Sequence, residues 1–260
     1  MSVIIEEILE IIDREVEGLD RITVSDLCVG LGYSGARLST GHIGLCETLL
    51  GKAPPCCEVI RGAGSFAGSP AIKLAELSRS WDTERSIVGV ATLNALSQIV
   101  MVRWKNRYLA TEGNFIDGLG IRSKDSVAMV GYFGPFIDKI KKKCQKLFIM
   151  ERNLSITQEG ILPDTACDYI LPEADVVTIS GTSIVNKSID HLLDLSMNSR
   201  EVGVVGPTAG FIPDVLFKRN VSIVGSTKVL DLDRVMQVIK EGGGTKPFKP
   251  FVHFMNLRQK

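Results

Sequence analysis

Val176-Val177-Thr178-Ile179 runs into Ser180-Gly181-Thr182-Ser183, and a helix-like stretch over 184–197 follows. A short apolar run closed by small polar residues, then a helical pattern, reads as a strand buried on both faces that feeds a helix. The same grammar recurs around it. Apolar runs lie at 127–131, 147–150, 202–205 and 221–224, with helix-like stretches at 136–143, 213–218 and 231–240. Strands alternating with helices predict an α/β doubly wound parallel sheet over residues 113–260.

Upstream the grammar differs. Ile4, Ile8, Ile12, Val16 and Leu19 recur on one helical face. Residues 22–32 read as a strand, and Ser34-Gly35 turns the chain into a second strand over 36–40. A Gly/Cys/Pro-rich stretch, 51–70, precedes two helices. Ser69-Pro70 opens the first, over 71–79, and Asp82 or Thr83 caps the second, which runs to about Val102. This predicts a small α+β domain over residues 1–112, with the boundary between 110 and 123. After Glu241-Gly242-Gly243-Gly244 a loose tail is expected, its Phe248, Phe251 and Phe254 docking on the parent domain.

Composition narrows the function. Lys and Arg total 30 against 30 Asp and Glu, which argues against broad nucleic-acid binding. The most apolar stretch, 87–102, is interrupted by Thr92, Asn94, Ser97 and Gln98, so the expectation is a buried helix and no membrane span. The N-terminus mixes Ile4, Ile5 and Ile8 with Glu6, Glu7 and Glu10, unlike a signal peptide. Six cysteines without paired spacing fit reduced thiols, and the protein is expected in the cytoplasm. A homodimer is the default oligomer.

Ligands of open parallel sheets bind beyond the carboxyl ends of the strands. There the chain places Gly131 and Gly134, Glu151, Gly181 and Thr182, Asn186, and Pro207 with Thr208. Glycines admit close backbone approach, and helix starts present unpaired N–H groups; tight strand–helix turns explain the same glycines. Glu151 follows Gly131 by 20 residues, the spacing at which nucleotide folds place a ribose-binding carboxylate, although no G-x-G-x-x-G fingerprint is complete. Thr182 reads as a helix cap. From the first domain, Arg61, Ser65 and Ser69 sit on a glycine-rich loop that either closes over a ligand or merely connects. Asn94 interrupts an apolar helix and either fastens the core or faces the cleft. Glu58 and Glu151 are the acid–base candidates. His42, Cys46, Cys56, Cys57 and Glu58 bring metal-binding residue types together, but no C-x-x-C pair or His-x-x-x-His accompanies them, so no metal ligand is assigned. No cofactor is named by any motif.

Gly181-Thr182-Ser183-Ile184-Val185-Asn186, Gly206-Pro207-Thr208-Ala209 and Gly225-Ser226 ahead of the Asp231 helix resemble a family described as "putative heavy-metal chelation" proteins. Ala91-Thr92-Leu93-Asn94-Ala95-Leu96 and Gly118-Leu119-Gly120 share that resemblance. The resemblance implies an enolase N-terminal-like domain followed by a Rossmann-like domain, with a site between them. It implies an enzyme for a small anionic or heteroaromatic metabolite, performing condensation or hydrolysis linked to flavin-, pterin- or siderophore-like chelators. A non-catalytic carrier of a metal chelate and an S-adenosylmethionine- or nucleotide-dependent methyltransferase are the alternatives.

Overall fold

The computed structural model describes residues 2–49, 59–104, 106–153, 156 and 159–260. Helix α1 (Val3–Glu15) starts where the Ser2 hydroxyl accepts the Ile5 N–H, and it buries Ile4, Ile5, Ile8, Leu9, Ile11 and Ile12. Each such side chain contributes about 1.5–3 kcal/mol before conformational entropy is set against it. Strands β1 (Val24–Val29), β2 (Tyr33–Leu38) and β3 (Ile43–Glu47) form an antiparallel sheet. The sequence reading did not include β3, because its five residues hold Gly44 and Cys46 and lack a clean alternation.

Helix α2 (Ala71–Ala75) tightens into a 3-10 turn over Glu76–Arg79, completing the helical stretch expected from residue 71. Helix α3 (Thr83–Arg103) is capped by Asp82, which accepts the Arg85 N–H at 3.1 Å. By length and composition α3 is long and apolar enough to cross a membrane, yet 72% of its most apolar window is buried inside the protein. It is the core helix of the N-terminal half.

The second half follows as β4 (Tyr108–Thr111), α4 (Phe115–Gly118), β5 (Ser126–Val130), α5 (Gly134–Lys141), β6 (Lys146–Glu151) and β7 (Ile161–Pro163). It continues with α6 (Cys167–Ile170), β8 (Val176–Ser180), α7 (Ile189–Leu195), β9 (Glu201–Val205), α8 (Asp214–Phe217), β10 (Val221–Val229), α9 (Leu232–Lys240) and β11 (Val252–Gln259). The sheet order is β4-β11-β10-β9-β8-β5-β6-β7. From β10 to β7 all neighbours are parallel, whereas β11 runs antiparallel to both β10 and β4. Counted in chain order from β5, the parallel strands run 3-2-1-4-5-6, the order of a Rossmann sheet. The fold is thus α/β, a small α+β layer followed by a Rossmann-like doubly wound sheet.

Successive residues face opposite sides of a strand, and the core shows it. Val127 and Met129 of β5 pack with Ile137 and Ile140 of α5, and with Phe115 and Ile116 of α4. Ala128 instead joins Val177 and Ile179 of β8, beside Leu192 and Val215 of α7 and α8. That second cluster is continuous with Ile4, Ile8, Leu93 and Leu96 of the N-terminal half. One core therefore runs through both halves.

Two expectations need correction. The helix expected over 184–197 is broken: a 3-10 turn over Gly181–Ile184 is followed by Lys187 at φ 65°, and α7 begins only at Ile189. The tail is not loose, since β11 lies between β10 and β4. Its leading aromatic does dock, with Phe248 fully buried edge-on to Tyr33 at 5.1 Å between ring centres.

Candidate functional site

The carboxyl ends of β5 and β8 meet at the point where the strand order reverses, and this is where Rossmann sheets leave a crevice. Gly131 leaves β5 at φ +98°, and a Cβ there would approach the Ser180 Cβ to 2.9 Å. Gly181 leaves β8 so close to the next loop that a Cβ would meet the Ala209 nitrogen at 2.6 Å. These glycines first serve loop-against-loop packing. Between them Ser180 and Thr182 pair their hydroxyls at 2.8 Å. Ser180, rather than Thr182, is the capping residue: its Oγ accepts the Thr182 N–H. Gly134 forms the first residue of α5, followed at once by Pro135, which suits a helical first turn.

Glu151 ends β6. Its Oε2 accepts the Tyr132 N–H at 2.8 Å and its Oε1 accepts the Asn153 N–H at 2.7 Å, which fixes the carboxylate between the loops after β5 and β6. The other half contributes Glu47, the last residue of β3. The Glu47 N–H donates to Thr208 Oγ1 at 2.9 Å. Burial first, and the Glu151 charge second, push the Glu47 carboxyl above the usual carboxylate range. The two carboxyls, one from each half, are thus near enough for the charge of Glu151 to act on Glu47. The sequence offered no signal for Glu47, because its role depends on a strand that the pattern did not reveal.

The other expected residues divide into groups. Asn94 is fully buried; its Nδ2 donates to Leu45 O at 2.8 Å and to Thr208 O at 2.9 Å. Gln98, one turn on, donates to Gly210 O at 2.7 Å. Asn94 and Thr208 are accordingly brought together, with Pro207 buried beside them, but as fasteners between the halves. The Asn186 Oδ1 accepts the Ser188 N–H and hydroxyl, shaping the break before α7. Ser65 donates to Gly62 O and Ser69 to Ser65 O, both at 2.7 Å, which are contacts inside the loop. Arg61 on the same loop is exposed. Glu58, Cys56 and Cys57 lie outside the described residues. His42 Nδ1 pairs with Thr40 Oγ1 at 3.0 Å, and Cys46 is fully buried, where burial pushes its thiol up. Among the described residues no three His, Cys, Asp or Glu side chains gather as a metal cage. An open pocket of about 320 Å³ lies elsewhere, against Ser25, Asp26, Arg37 and Ser39 of the small sheet.

The fold defines a Rossmann-ordered protein whose strand-end loops meet an N-terminal α+β layer. Two family models, both described as "putative heavy-metal chelation", match residues 12–97 and residues 114–258. The chain belongs to the DUF364 family, whose model covers the second of these ranges. It is 29% identical over 256 residues to a protein of Methanocaldococcus jannaschii called uncharacterized, spanning 95% of this chain and 94% of the other. A crystal structure of a DUF364 protein of unknown function from Pyrococcus horikoshii matches with a TM-score of 0.81 at 22% identity, covering 99% of this chain and 98% of that one. One from Desulfitobacterium hafniense, also of unknown function, gives 0.78 at 24%, covering 98% and 99%. At these identities the solved structures establish the shared fold.

Proposed function

We propose that the crevice at the ends of β5, β6 and β8 takes a small heteroaromatic metabolite, and that Glu47 and Glu151 perform acid–base chemistry on it. The supporting observation is that Glu47, buried in one half, is acted on by the charge of Glu151, which the other half fixes at the end of β6. Their environments differ. Glu47, pushed up by burial, keeps its proton longer and suits a general acid. Glu151, held by two backbone N–H groups, suits a proton acceptor fixed in position. Such a pair fits condensation or hydrolysis in making or breaking flavin-, pterin- or siderophore-like chelators, in line with the family description.

The test offers riboflavin, neopterin and 2,3-dihydroxybenzoate to the purified chain. Binding is read by calorimetry and conversion by mass spectrometry, with Glu47→Gln and Glu151→Gln in parallel. Conversion lost in both variants supports the enzyme. Binding without conversion assigns the chain to the carrier alternative. Stabilisation by S-adenosylmethionine, with no response to the three probes, would replace this reading with a methyltransferase.

A further inference from the structure

Charge is segregated although its totals balance. Residues 122–146 hold seven of the chain's 30 Lys and Arg and only two of its 30 Asp and Glu. These cations gather around the amino ends of β5 and β6. Lys139, Lys141, Lys142 and Lys143 are exposed on the last turn of α5 and on the turn after it. Arg122 and Lys124 are exposed on the loop that enters β5, and exposed Lys146 opens β6. The two strand entries are tied together. The Gln145 N–H donates to Asp125 O at 2.9 Å, and Lys146 is the cross-strand neighbour of Ser126.

Little there neutralises the charge. Lys143 pairs with Asp117 at 2.5 Å, and the Lys146 ammonium lies over the Phe148 ring at 4.3 Å. Of the two acids within the segment, Asp125 is buried against Arg200 at 2.6 Å, which leaves exposed Asp138. Exposed Asp175, ahead of β8, borders the patch on one side. Among the described residues, Arg122, Lys124, Lys139, Lys141 and Lys142 have no ion-pair partner. Cations in a last turn complement a helix C-terminus, but that accounts for Lys139 and Lys141 alone.

We propose that this end of the sheet docks on the phosphate backbone of a duplex nucleic acid without reading its sequence. A duplex presents one negative charge per about 1.7 Å of its axis, a density that clustered, unpaired cations complement. What surrounds the lysines selects this polyanion. Single strands are held by aromatic side chains that stack on bases, and membrane surfaces by apolar side chains inserted beside the charges. The exposed large apolar side chains of the described residues all lie outside 122–146, and Lys146 covers the Phe148 ring. Lysine offers a point charge and no planar fork for base edges, which suits contacts to phosphate. The patch is at the opposite strand ends from Glu151, so it does not rest on the acid–base reading.

The experiment titrates the whole chain into a fluorescent DNA duplex of about 20 base pairs, at about 50 and 200 mM NaCl, and reads anisotropy. With three to five phosphates neutralised, affinity should fall roughly 40- to 500-fold between the two salts. Exchanging an A·T-rich for a G·C-rich duplex should change it less than ~2-fold. A Lys141→Glu, Lys142→Glu variant, altered at exposed positions, should melt like the parent and bind at least ~10-fold more weakly. Lys73→Glu, exposed on α2, should bind like the parent. Should the double variant fail to fold, Lys124→Gln with Lys139→Gln gives the second reading, a salt slope reduced by about 1.8. No binding at the lower salt overturns the proposal, as does binding that both double variants leave unchanged. Tighter binding to a single strand of the same length, or to phosphatidylserine vesicles, overturns it as well.

Discussion

Replacing Asn94 by alanine separates fastening from ligand contact. Its Nδ2 holds Leu45 O at 2.8 Å and Thr208 O at 2.9 Å, in a site closed to water. The variant removes two hydrogen bonds whose acceptors belong to different halves, and water cannot easily replace the donor. Each net bond is worth about 0.5–1.5 kcal/mol, and each stranded buried carbonyl adds up to about 1–3 kcal/mol. Because carbonyls carry a second lone pair and β3 still pairs with β2, the lower part of that range applies. A loss of about 2–4 kcal/mol is expected. For a chain of this size that lowers the melting temperature by roughly 4–16 °C, at about 2–4 °C per kcal/mol. Urea unfolding followed by both fluorescence and circular dichroism measures it, and the shared core predicts one coincident transition. An Asn94→Ala variant within about 0.5 kcal/mol of the parent would refute the reasoning, and would return Asn94 to the ligand role.

Gly44→Ala should be severe, because a Cβ there would lie 2.1 Å from Ala91 O and 2.2 Å from the Ala95 nitrogen. At least about 3 kcal/mol is expected, at the upper end of overpacking, and a normally stable variant in urea would contradict the β3–α3 contact. Gly131→Ala meets both a φ of +98° and the Ser180 Cβ at 2.9 Å; about 1–3 kcal/mol should be lost, together with calorimetric binding of any crevice ligand, and unaltered binding would remove Gly131 from the site. Glu47 holds its proton more tightly folded than unfolded. Native stability contributed there is therefore present below its ordinary value of 4.5 and declines as pH rises through and above it. Glu47→Gln should flatten that decline in a series of urea titrations, and parallel curves for variant and parent would count against the buried carboxyl.

The large sheet was legible because its signal is local. The runs at 127–131, 147–150, 176–179, 202–205 and 221–224 became β5, β6, β8, β9 and β10, since strands buried on both faces need unbroken apolar side chains. α1 and α3 were equally plain, one from its stripe and the other from the Asp82 cap. The edge strands escaped. Only Tyr108 of β4 is buried, so tertiary pairing with β11 makes it a strand, not its own pattern. β3 escaped because Gly44 was selected for contact with α3, which periodicity does not reveal. At the site, Glu151 was found through its distance from Gly131, a spacing that strand length enforces. Glu47 belongs to a strand 84 residues before Gly131, a separation no local pattern bridges.

The place of β11 also bears on how the chain is made. β4 pairs with β11, and β11 fills the gap beside β10. A nascent chain that has already produced residues 108–111 has nowhere to lay them until residues 252–259 emerge from the ribosome. Through that interval the β10 edge, whose ladder carries Val224 and Val229, presents unpaired backbone to its surroundings. Synthesis speed across the stretch after α9, and chaperone capture of that edge, should govern the yield of folded protein more than events earlier in translation.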